Sequence, residues 1–409
     1  MTSFGVPRPD GPVAAPTAPP TWDTRPTTPP TWDTRPTAAP FAATTPILTA
    51  ARRQPWKPPP PAPKPVRRPL RGVGVPRITC WQLALVAVIL VLDEPWPTIT
   101  AVATAAVVVV AFTAVRVRSR WLSEWAVLSA KYLLRNRDRS LPGDHPGQAL
   151  LSLISPEATA GTTDVNDEPV CMVSRAAGIT AVLHPSSTTR DLTKSMPAPQ
   201  ELLPAPDERA LALAVQVVHQ AGLDRTRPPR VWIALQVLRT VELHRDDDVR
   251  RALGNAVRRV RRRLRREGLP TRPLTEHETL GTLAALAHVN AGRHRVREQW
   301  RHWWSGPITQ ATFRLDGWDR LPTAVAPQLL RRLLTAAPQA AVTVSVTARR
   351  TPAGSQVEAV LRIATAHPVA LENAATELAR LARERGVDLE RLDGEHTDGL
   401  AATLPIGAR

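Results

Sequence analysis

Residues 78–115 read ITCWQLALVAVILVLDEPWPTITAVATAAVVVVAFTAV, and we expect this stretch to decide how the chain is organised. Two runs without a charged side chain, Ile78–Leu92 and Thr98–Val115, flank the acidic, proline-containing turn Asp93–Pro97. A spanning helix needs about 20 mainly apolar residues, with a lower limit of about 17. The second run meets this limit, and the first does so only if it extends back towards Val73. We predict a two-helix transmembrane hairpin over residues 77–115; the alternative is a buried helical hairpin in a soluble core.

The charges on either side of the hairpin predict its orientation. Basic residues precede the first run at Arg52, Arg53, Lys57, Lys64, Arg67, Arg68, Arg71 and Arg77, and follow the second at Arg116, Arg118, Arg120, Lys131, Arg135, Arg137 and Arg139. The turn between the runs has no basic residue. Because basic flanks stay on the cytoplasmic side, we predict a two-pass protein of the cell membrane with both termini in the cytoplasm.

Upstream of the hairpin, residues 1–76 form a tail that contains about half of the 43 prolines of the chain. The tail has no apolar periodicity, so it cannot bury enough surface to offset its conformational entropy, and we predict that it is disordered. The sequence PPTWDTRPT occurs at residues 19–27 and again at 29–37. The repeat is either a linear motif anchored by Trp22 and Trp32 or a product of repeat slippage.

Downstream of the hairpin, residues 116–140 are predicted to form a juxtamembrane amphipathic helix. Trp121, Trp125, Leu128 and Tyr132 follow one another at spacings that place them on one helical face, with basic residues on the others. The aromatic face is either a docking surface for a partner or a helix that lies among lipid headgroups, where Trp and Tyr are favoured.

From residue 168 to residue 407, strand-like and helix-like runs alternate, which predicts a cytosolic α/β domain with a mixed sheet. The predicted strands are Val170–Arg175, Gly178–His184, Val231–Val241, Ile308–Leu315, Ala341–Arg349, Val357–Thr365 and Leu389–Leu392. The predicted helices are Asp207–Gln220, Asp246–Glu267, Leu274–Asn290, Ala324–Ala336 and Leu371–Arg385.

Composition narrows the classes of function. The chain has 409 residues and a formal charge of +17, and its 2 cysteines exclude a disulfide framework. It contains no phosphate-binding glycine loop, dinucleotide fingerprint, nucleophile elbow or zinc-protease helix. We therefore predict that the protein is not an enzyme, and we assign it no catalytic residue, no cofactor and no metal ligand.

Two features of the helix at residues 246–267 allow a second interpretation. Asp246–Asp248 could hold a divalent ion for a membrane-anchored glycosyltransferase, but carboxylates at a helix start also cap N–H groups and face the helix dipole. The same helix carries many arginines, which could bind nucleic acid. Since no aromatic residue interleaves them and Val257, Val260 and Leu264 form an apolar stripe, we favour a solvated face towards lipid or an acidic partner, with no nucleic acid.

Residues 298–306 (EQWRHWWSG) contain a tryptophan cluster, which is a further group of candidate residues. Read as a helix, this segment places Trp300, Trp303 and Trp304 on one face. Such a face either packs into the core or docks a partner, since Trp is over-represented in interface hot spots.

The sequence resembles the EccE component of the type VII (ESX) secretion system of actinobacteria over roughly residues 75–407. The resemblance is carried by residues 115–125 (VRVRSRWLSEW) with 131–135 (KYLLR), by residues 389–396 (LERLDGEH) with 399–407 (GLAATLPIG), and by the 298–306 segment. The Pro-rich tail departs from the family pattern.

The resemblance implies a two-helix membrane anchor with a glycosyltransferase-like α/β domain that has no evident active site. It also implies a structural role at the rim of the secretion channel, alongside EccB-, EccC- and EccD-like components and membrane lipid. The candidate docking residues are Trp121, Trp125, Leu128, Tyr132, Trp300, Trp303 and Trp304.

Overall fold

The fold is taken from a computed structural model, which describes residues 75–117, 120–142, 144–165, 167–186, 191–204, 212–289, 295–351 and 354–407. The Pro-rich tail, for which disorder is predicted, lies outside the described residues together with its repeated motif, apart from the last two positions of the tail. Those two positions begin the first helix.

Ten α-helices occur in the described residues: α1 Val75–Leu90, α2 Trp96–Ala114, α3 Leu122–Leu134, α4 Pro146–Ile154, α5 Leu192–Ser195, α6 Asp246–Arg266, α7 Glu276–Leu286, α8 Ala326–Thr335, α9 Pro368–Arg383 and α10 His396–Ala402. The strands are β1 Arg116–Val117, β2 Arg120–Trp121, β3 Asp138–Ser140, β4 Thr159–Val165, β5 Glu168–Arg175, β6 Gly178–Pro185, β7 Leu213–Ala221, β8 Arg230–Leu238, β9 Thr271–Pro273, β10 Arg295–Glu298, β11 Trp303–Ser305, β12 Ile308–Asp316, β13 Ala341–Thr351, β14 Gly354–Thr365 and β15 Asp388–Arg391.

Helices α1 and α2 pack side by side. The Trp81 indole Nε1 donates a 2.8 Å hydrogen bond to the Thr113 hydroxyl, which ties the two helices together. Among the described residues, Trp96–Ala114 is the one helix long and apolar enough to cross a membrane, and none of its residues is buried. Helix α1 is apolar but shorter, so the two-pass hairpin stays a prediction.

One sheet of 13 strands forms the centre of the domain, in the order β3-β10-β11-β12-β14-β13-β7-β8-β6-β5-β4, with β15 beside β12 and β9 beside β6. The α/β class is confirmed, but the expectation of a mixed sheet is wrong, because every strand pair in the described residues is antiparallel. The helical crossovers explain the difference. Helix α6 joins β8 to β9, and β6 lies between these two strands. Helix α8 joins β12 to β13 with β14 between them, and α9 joins β14 to β15 with β12 between them. In each case the intervening strand is antiparallel to both, so the crossover creates no parallel pair.

Helices cover both faces of the sheet, so alternate residues of a strand enter different cores. On β8, Val231, Ile233, Leu235 and Val237 pack with α6, whereas Trp232 points the other way and packs with α4, α7 and α10. Helices α8 and α9 extend the first layer over β12, β13 and β14. Burial on both sides explains why the 231–241 run is almost continuously apolar.

The helix predicted at Asp207–Gln220 is wrong where the structure describes it. Residues 213–221 form β7, which pairs with β8 and β13 in the middle of the sheet. Leu213, Val215 and Val217 face one core, and Val218 faces the other. Alternating β-branched residues favour a strand here over the helical tendency of the alanines and leucines. The sheet also takes in β3 and β4, upstream of the expected domain start at residue 168.

Candidate functional site

The aromatic face of α3 lies against the domain. The Trp125 ring is 6.1 Å from the Trp300 ring, centroid to centroid, and Tyr132 meets Trp300 edge-on at 5.0 Å. Leu128, between them on the same face, is buried. These residues share one helical face, as the spacing predicts, and that face contacts Trp300 of the same chain; its role towards a partner or lipid stays a prediction.

Trp121 connects this face to the first helix of the hairpin. The Arg77 guanidinium lies 4.4 Å from the centre of the Trp121 ring, with Arg116 at 5.8 Å. Arg77 also forms a 2.6 Å ion pair with Glu124 in the first turn of α3. The first turn of α1, which contains Arg77, and the residues just after α2 therefore meet at the start of α3.

Glu298, at the end of β10, is a buried carboxylate that joins α3 to the C-terminal segment. Its oxygens accept hydrogen bonds from the Thr397 backbone N–H at 3.0 Å and the Thr397 hydroxyl at 2.7 Å. Arg135, just after α3, pairs with the same carboxylate at 3.1 Å. The Thr397 contacts fix the first turn of α10. In the sequence Glu298 is visible only as the acid that begins the tryptophan run, and nothing local to it indicates the contact with Thr397.

The C-terminal segment closes around Trp300 from the other side. Gly394 donates its backbone N–H to the Trp300 carbonyl oxygen at 2.7 Å. Its φ of +75° suits glycine, and a Cβ there would lie 2.8 Å from the Trp300 ring. His396 Nε2 is 3.1 Å from the same carbonyl oxygen, which can only accept, so Nδ1 accepts from the Thr312 hydroxyl at 3.2 Å. Burial lowers the pKa of His396 to about 3.

Arg120 adds a second ionic link, between strand β2 and the C-terminal segment. It pairs with Glu395 at 2.7 Å and with Glu390 at 3.5 Å. These carboxylates and their hydrogen bonds raise the pKa of Arg120 above its ordinary value although burial opposes them.

Residues 406 and 407 are held by polar side chains of the sheet. Gly407 donates its N–H to the Gln216 side-chain oxygen at 3.0 Å, and the Ile406 carbonyl accepts from Arg175 at 2.5 Å and Thr180 at 2.9 Å. A Cβ at Gly399 would lie 2.2 Å from the Thr312 hydroxyl oxygen. These contacts give the glycines of the 399–407 segment a packing role.

The predicted helical face at Trp300, Trp303 and Trp304 is wrong. Trp303 and Trp304 are neighbours on β11, so they point to opposite faces of the sheet. Trp303 is buried in the core, while Trp304 is half-buried and donates from Nε1 to Gln299 at 3.1 Å. Only Trp300, in the turn between β10 and β11, reaches α3.

The acidic triplet Asp246–Asp248 lies away from these contacts, in the first turn of α6, which packs against β6 and β8. The N-cap residue of α6 is Arg245, and it makes no side-chain capping hydrogen bond. Instead Asp246 pairs with Arg239, whose hydrogen bond lowers the pKa of that carboxyl. The other two pair within the helix, Asp247 with Arg250 at 3.2 Å and Asp248 with Arg251 at 3.7 Å. Within the part of the chain that the structure describes, no group of three His, Cys, Asp or Glu side chains is arranged to hold a metal ion.

The arginines of α6 occupy the faces that the apolar stripe leaves free. Val249, Leu253, Val257, Val260 and Leu264 are buried against the sheet. Arg250, Arg251, Arg259, Arg262, Arg265 and Arg266 are exposed. The predicted division between an apolar stripe and a solvated basic face is confirmed; the partner of that face stays open.

Three segments separated in the sequence therefore meet at one place, which we call the junction: residues 115–135, residues 298–306 and residues 389–407. They are the same three segments that carry the resemblance noted above. Their contacts join the hairpin to the domain through aromatic packing, ion pairs and a buried carboxylate.

Comparison with known proteins gives one family match. A search of the curated proteins finds no relative. Residues 230–315, which include β8, α6 and the Trp300 turn, match the family described as "Putative type VII ESX secretion system translocon, EccE". The resemblance to EccE is thereby confirmed, on the strength of residues 230–315 of this chain.

Proposed function

We propose that the protein is a structural membrane subunit of a type VII secretion complex and that it aids the assembly or stability of the export channel. The observation that carries this proposal is helix α2, an apolar 19-residue helix with none of its residues buried. A helix of this kind needs a lipid or protein environment to cover it. The junction next to it ties the helix firmly to the cytosolic domain.

A two-pass topology with both termini in the cytoplasm is part of the proposal. It is supported by the contact of Arg77, in the first turn of α1, with Trp121 and Glu124, after α2. This contact puts both basic flanks at the same end of the hairpin. The acidic turn at the opposite end would then face the outside, as the positive-inside rule requires.

The proposed partners are EccB-, EccC- and EccD-like components of the same complex, together with membrane lipid. Of the seven candidate docking residues, Leu128 and Trp303 are buried within the chain. The candidates that remain for a partner are the half-buried aromatic residues Trp121, Trp125, Tyr132 and Trp300 around α3 and, separately on β11, Trp304. Trp and Tyr bury large areas at small entropic cost, which suits an interface.

The alternative is a membrane-anchored, metal-dependent glycosyltransferase that uses Asp246–Asp248. The arginine pairs of all three carboxylates favour a structural role, because each carboxylate already has a cationic partner. The glycosyltransferase-like fold implied by the family resemblance stays a prediction.

One complementation experiment separates the two functions. A strain that lacks the gene would receive the wild-type chain, the triple variant Asp246→Asn, Asp247→Asn, Asp248→Asn, or the double variant Val107→Arg, Val110→Arg. We expect the triple variant to restore export, since Asn also suits a helix start. We expect the double variant to lose membrane retention and export, because each arginine costs about 3 kcal/mol at the centre of a spanning helix. Loss of export in a folded, membrane-bound triple variant would favour the enzyme.

A further inference from the structure

A basic cleft lies beside the junction, at the C-terminal end of α3. It has a volume of about 700 Å³ and is lined by Tyr132 and residues 135–138 on one side and by residues 297–302 on the other. Four arginines line it: Arg135, Arg137, Arg297 and Arg301. A volume of this size falls in the range of small-molecule sites, about 300–1,000 Å³.

The carboxylates near the cleft already have other partners. Glu298 is held by Thr397 and Arg135. Asp138 receives two hydrogen bonds from Arg295, at 3.1 and 2.8 Å.

Glu372, which lies 3.5 Å from Arg301, is bound more closely by Arg391 through two hydrogen bonds of 2.9 and 2.8 Å. The cleft thus has more positive charge than its acidic groups neutralise.

Two of the four guanidinium groups are open to a ligand. Among the described residues, no carboxylate lies within 4 Å of the Arg137 or Arg297 guanidinium, and both side chains are exposed; Arg297 stands opposite Asp138 in the β10–β3 pair, but that carboxylate is bound by Arg295. Arg137 is nevertheless held in place, because its guanidinium lies 4.9 Å from the centre of the Tyr132 ring. A planar guanidinium group matches a phosphate with two parallel hydrogen bonds, so a cleft lined by arginines favours phosphate over other anions.

The position of the cleft favours a lipid as the source of the phosphate. Helix α3 has 13 residues and is therefore about 20 Å long. Its first turn contacts Arg77, in the first turn of α1, and its last turn leads directly into the cleft. If α3 lies along the cytoplasmic membrane surface, the cleft is at headgroup level, where basic pockets bind anionic lipids.

We propose that this cleft binds the phosphate headgroup of an anionic phospholipid, with Arg137 and Arg297 as the principal ligands. The lipid source rests on the proposed membrane location, whereas the anion chemistry of the cleft does not. A bound headgroup would fix the domain at a set height above the membrane through the same segment that forms the junction.

The test is calorimetric titration of the full-length protein in a mild non-ionic detergent. The titrants are a short-chain phosphatidylglycerol, the matching phosphatidylcholine and inorganic phosphate. The variant is Arg137→Gln with Arg297→Gln. The control is Arg331→Gln with Arg385→Gln, which removes the same charge from exposed arginines on α8 and just after α9. Circular dichroism of each variant establishes that it is folded, and Arg137→Lys with Arg297→Lys replaces the Gln pair if that pair does not fold.

We expect saturable binding of phosphatidylglycerol at one site per chain, at least tenfold tighter than phosphatidylcholine or phosphate. The Gln pair should weaken it tenfold or more, and the Lys pair by less, while the control changes it less than twofold. Equal weakening in the control, or no effect of either cleft variant, would overturn the site. Inorganic phosphate that binds as tightly as the lipid would overturn the lipid occupant. None of these outcomes depends on export or on complex assembly, so they are distinguishable from failure of the proposed function.

Discussion

Glu298 is the single residue on which the junction depends most. Its carboxylate is 4% exposed and is shared by Thr397 and Arg135. Replacing it with Ala leaves the Thr397 N–H and hydroxyl without their acceptor, and we expect a loss of about 2 kcal/mol in the free energy of unfolding. Chemical unfolding in mild detergent measures this loss.

The matched control for Glu298 is Glu267→Ala. Glu267 pairs with Arg263 at 3.0 Å, but both side chains are more than a third exposed. Exposed pairs contribute less than about 1 kcal/mol, so the control should change stability little. Equal effects of the two substitutions would mean that the buried contacts of Glu298 do not stabilise the fold.

His396 makes the stability of the junction depend on pH. It is neutral in the fold because burial lowers its pKa to about 3, whereas an unfolded histidine has a pKa of about 6.5. The unfolded state therefore binds the proton first as the pH falls. We expect the contribution of His396 to the free energy of unfolding to be fully present above about pH 6.5. Below that pH it should fall by up to about 1.4 kcal/mol per pH unit.

The measurement is unfolding free energy at several pH values between 7 and 4.5, for wild type and His396→Gln. The variant should show a shallower decline than wild type. Part of the decline should remain, because His219 is also buried with a pKa lowered to about 4, and His219→Gln should remove that part. Parallel curves for wild type and His396→Gln would show that His396 does not carry the dependence.

At the scale of elements, Trp300 holds α3 on the domain. Its ring contacts Trp125 and Tyr132 of that helix, and aromatic pairs contribute about 0.5–1.5 kcal/mol each beyond their buried area. We expect Trp300→Ala to speed amide hydrogen exchange across Leu122–Leu134 by roughly tenfold or more. Trp304→Ala, on the neighbouring strand, should leave exchange in α3 unchanged. Unchanged exchange in Trp300→Ala would place the anchor of α3 elsewhere.

The elements that the sequence predicted correctly are those with one dominant pattern. Helix α6 has an apolar stripe and an acidic first turn, and the β13–β14 pair has long β-branched runs. The error at β7 arose because Ala and Leu suit a helix, while the deciding factor, pairing with β8 and β13, is not local. Trp303 and Trp304 show the same limit, since adjacent tryptophans fit a helix or a strand until the pairing of β11 is known.

The junction could be predicted only in part, for a similar reason. The spacing of Trp121, Trp125, Leu128 and Tyr132 indicated the contacting face of α3. Its partner Trp300 is more than 160 residues away in the sequence, and no local pattern connects them. Glu298 and His396 are buried polar residues, and their roles become visible only when residues 298–306 and 389–407 are brought together.

For the whole molecule, topology is the first property to test. Reporter fusions placed after Asp93 should be active only outside the cell, and fusions after Arg139 only inside, because the basic flanks stay in the cytoplasm. The fusion after Asp93 and the fusion after Arg139 are controls for each other, because both are made in the same chain and their expected activities are opposite. The reverse pattern would contradict a hairpin with cytoplasmic termini.

The central claim is that this chain is a structural subunit of a type VII secretion complex, and co-purification tests it most directly. The tagged wild-type chain and the variant Trp121→Ala, Trp125→Ala would be purified from membranes in mild detergent, and the EccB-, EccC- and EccD-like proteins recovered with each would be quantified by mass spectrometry. We expect the wild type to recover these proteins in constant ratios. We expect the variant to remain in the membrane fraction but to recover at least tenfold less, since a hot-spot residue contributes about 2 kcal/mol or more. A wild-type chain that purifies without any of these proteins would contradict the account.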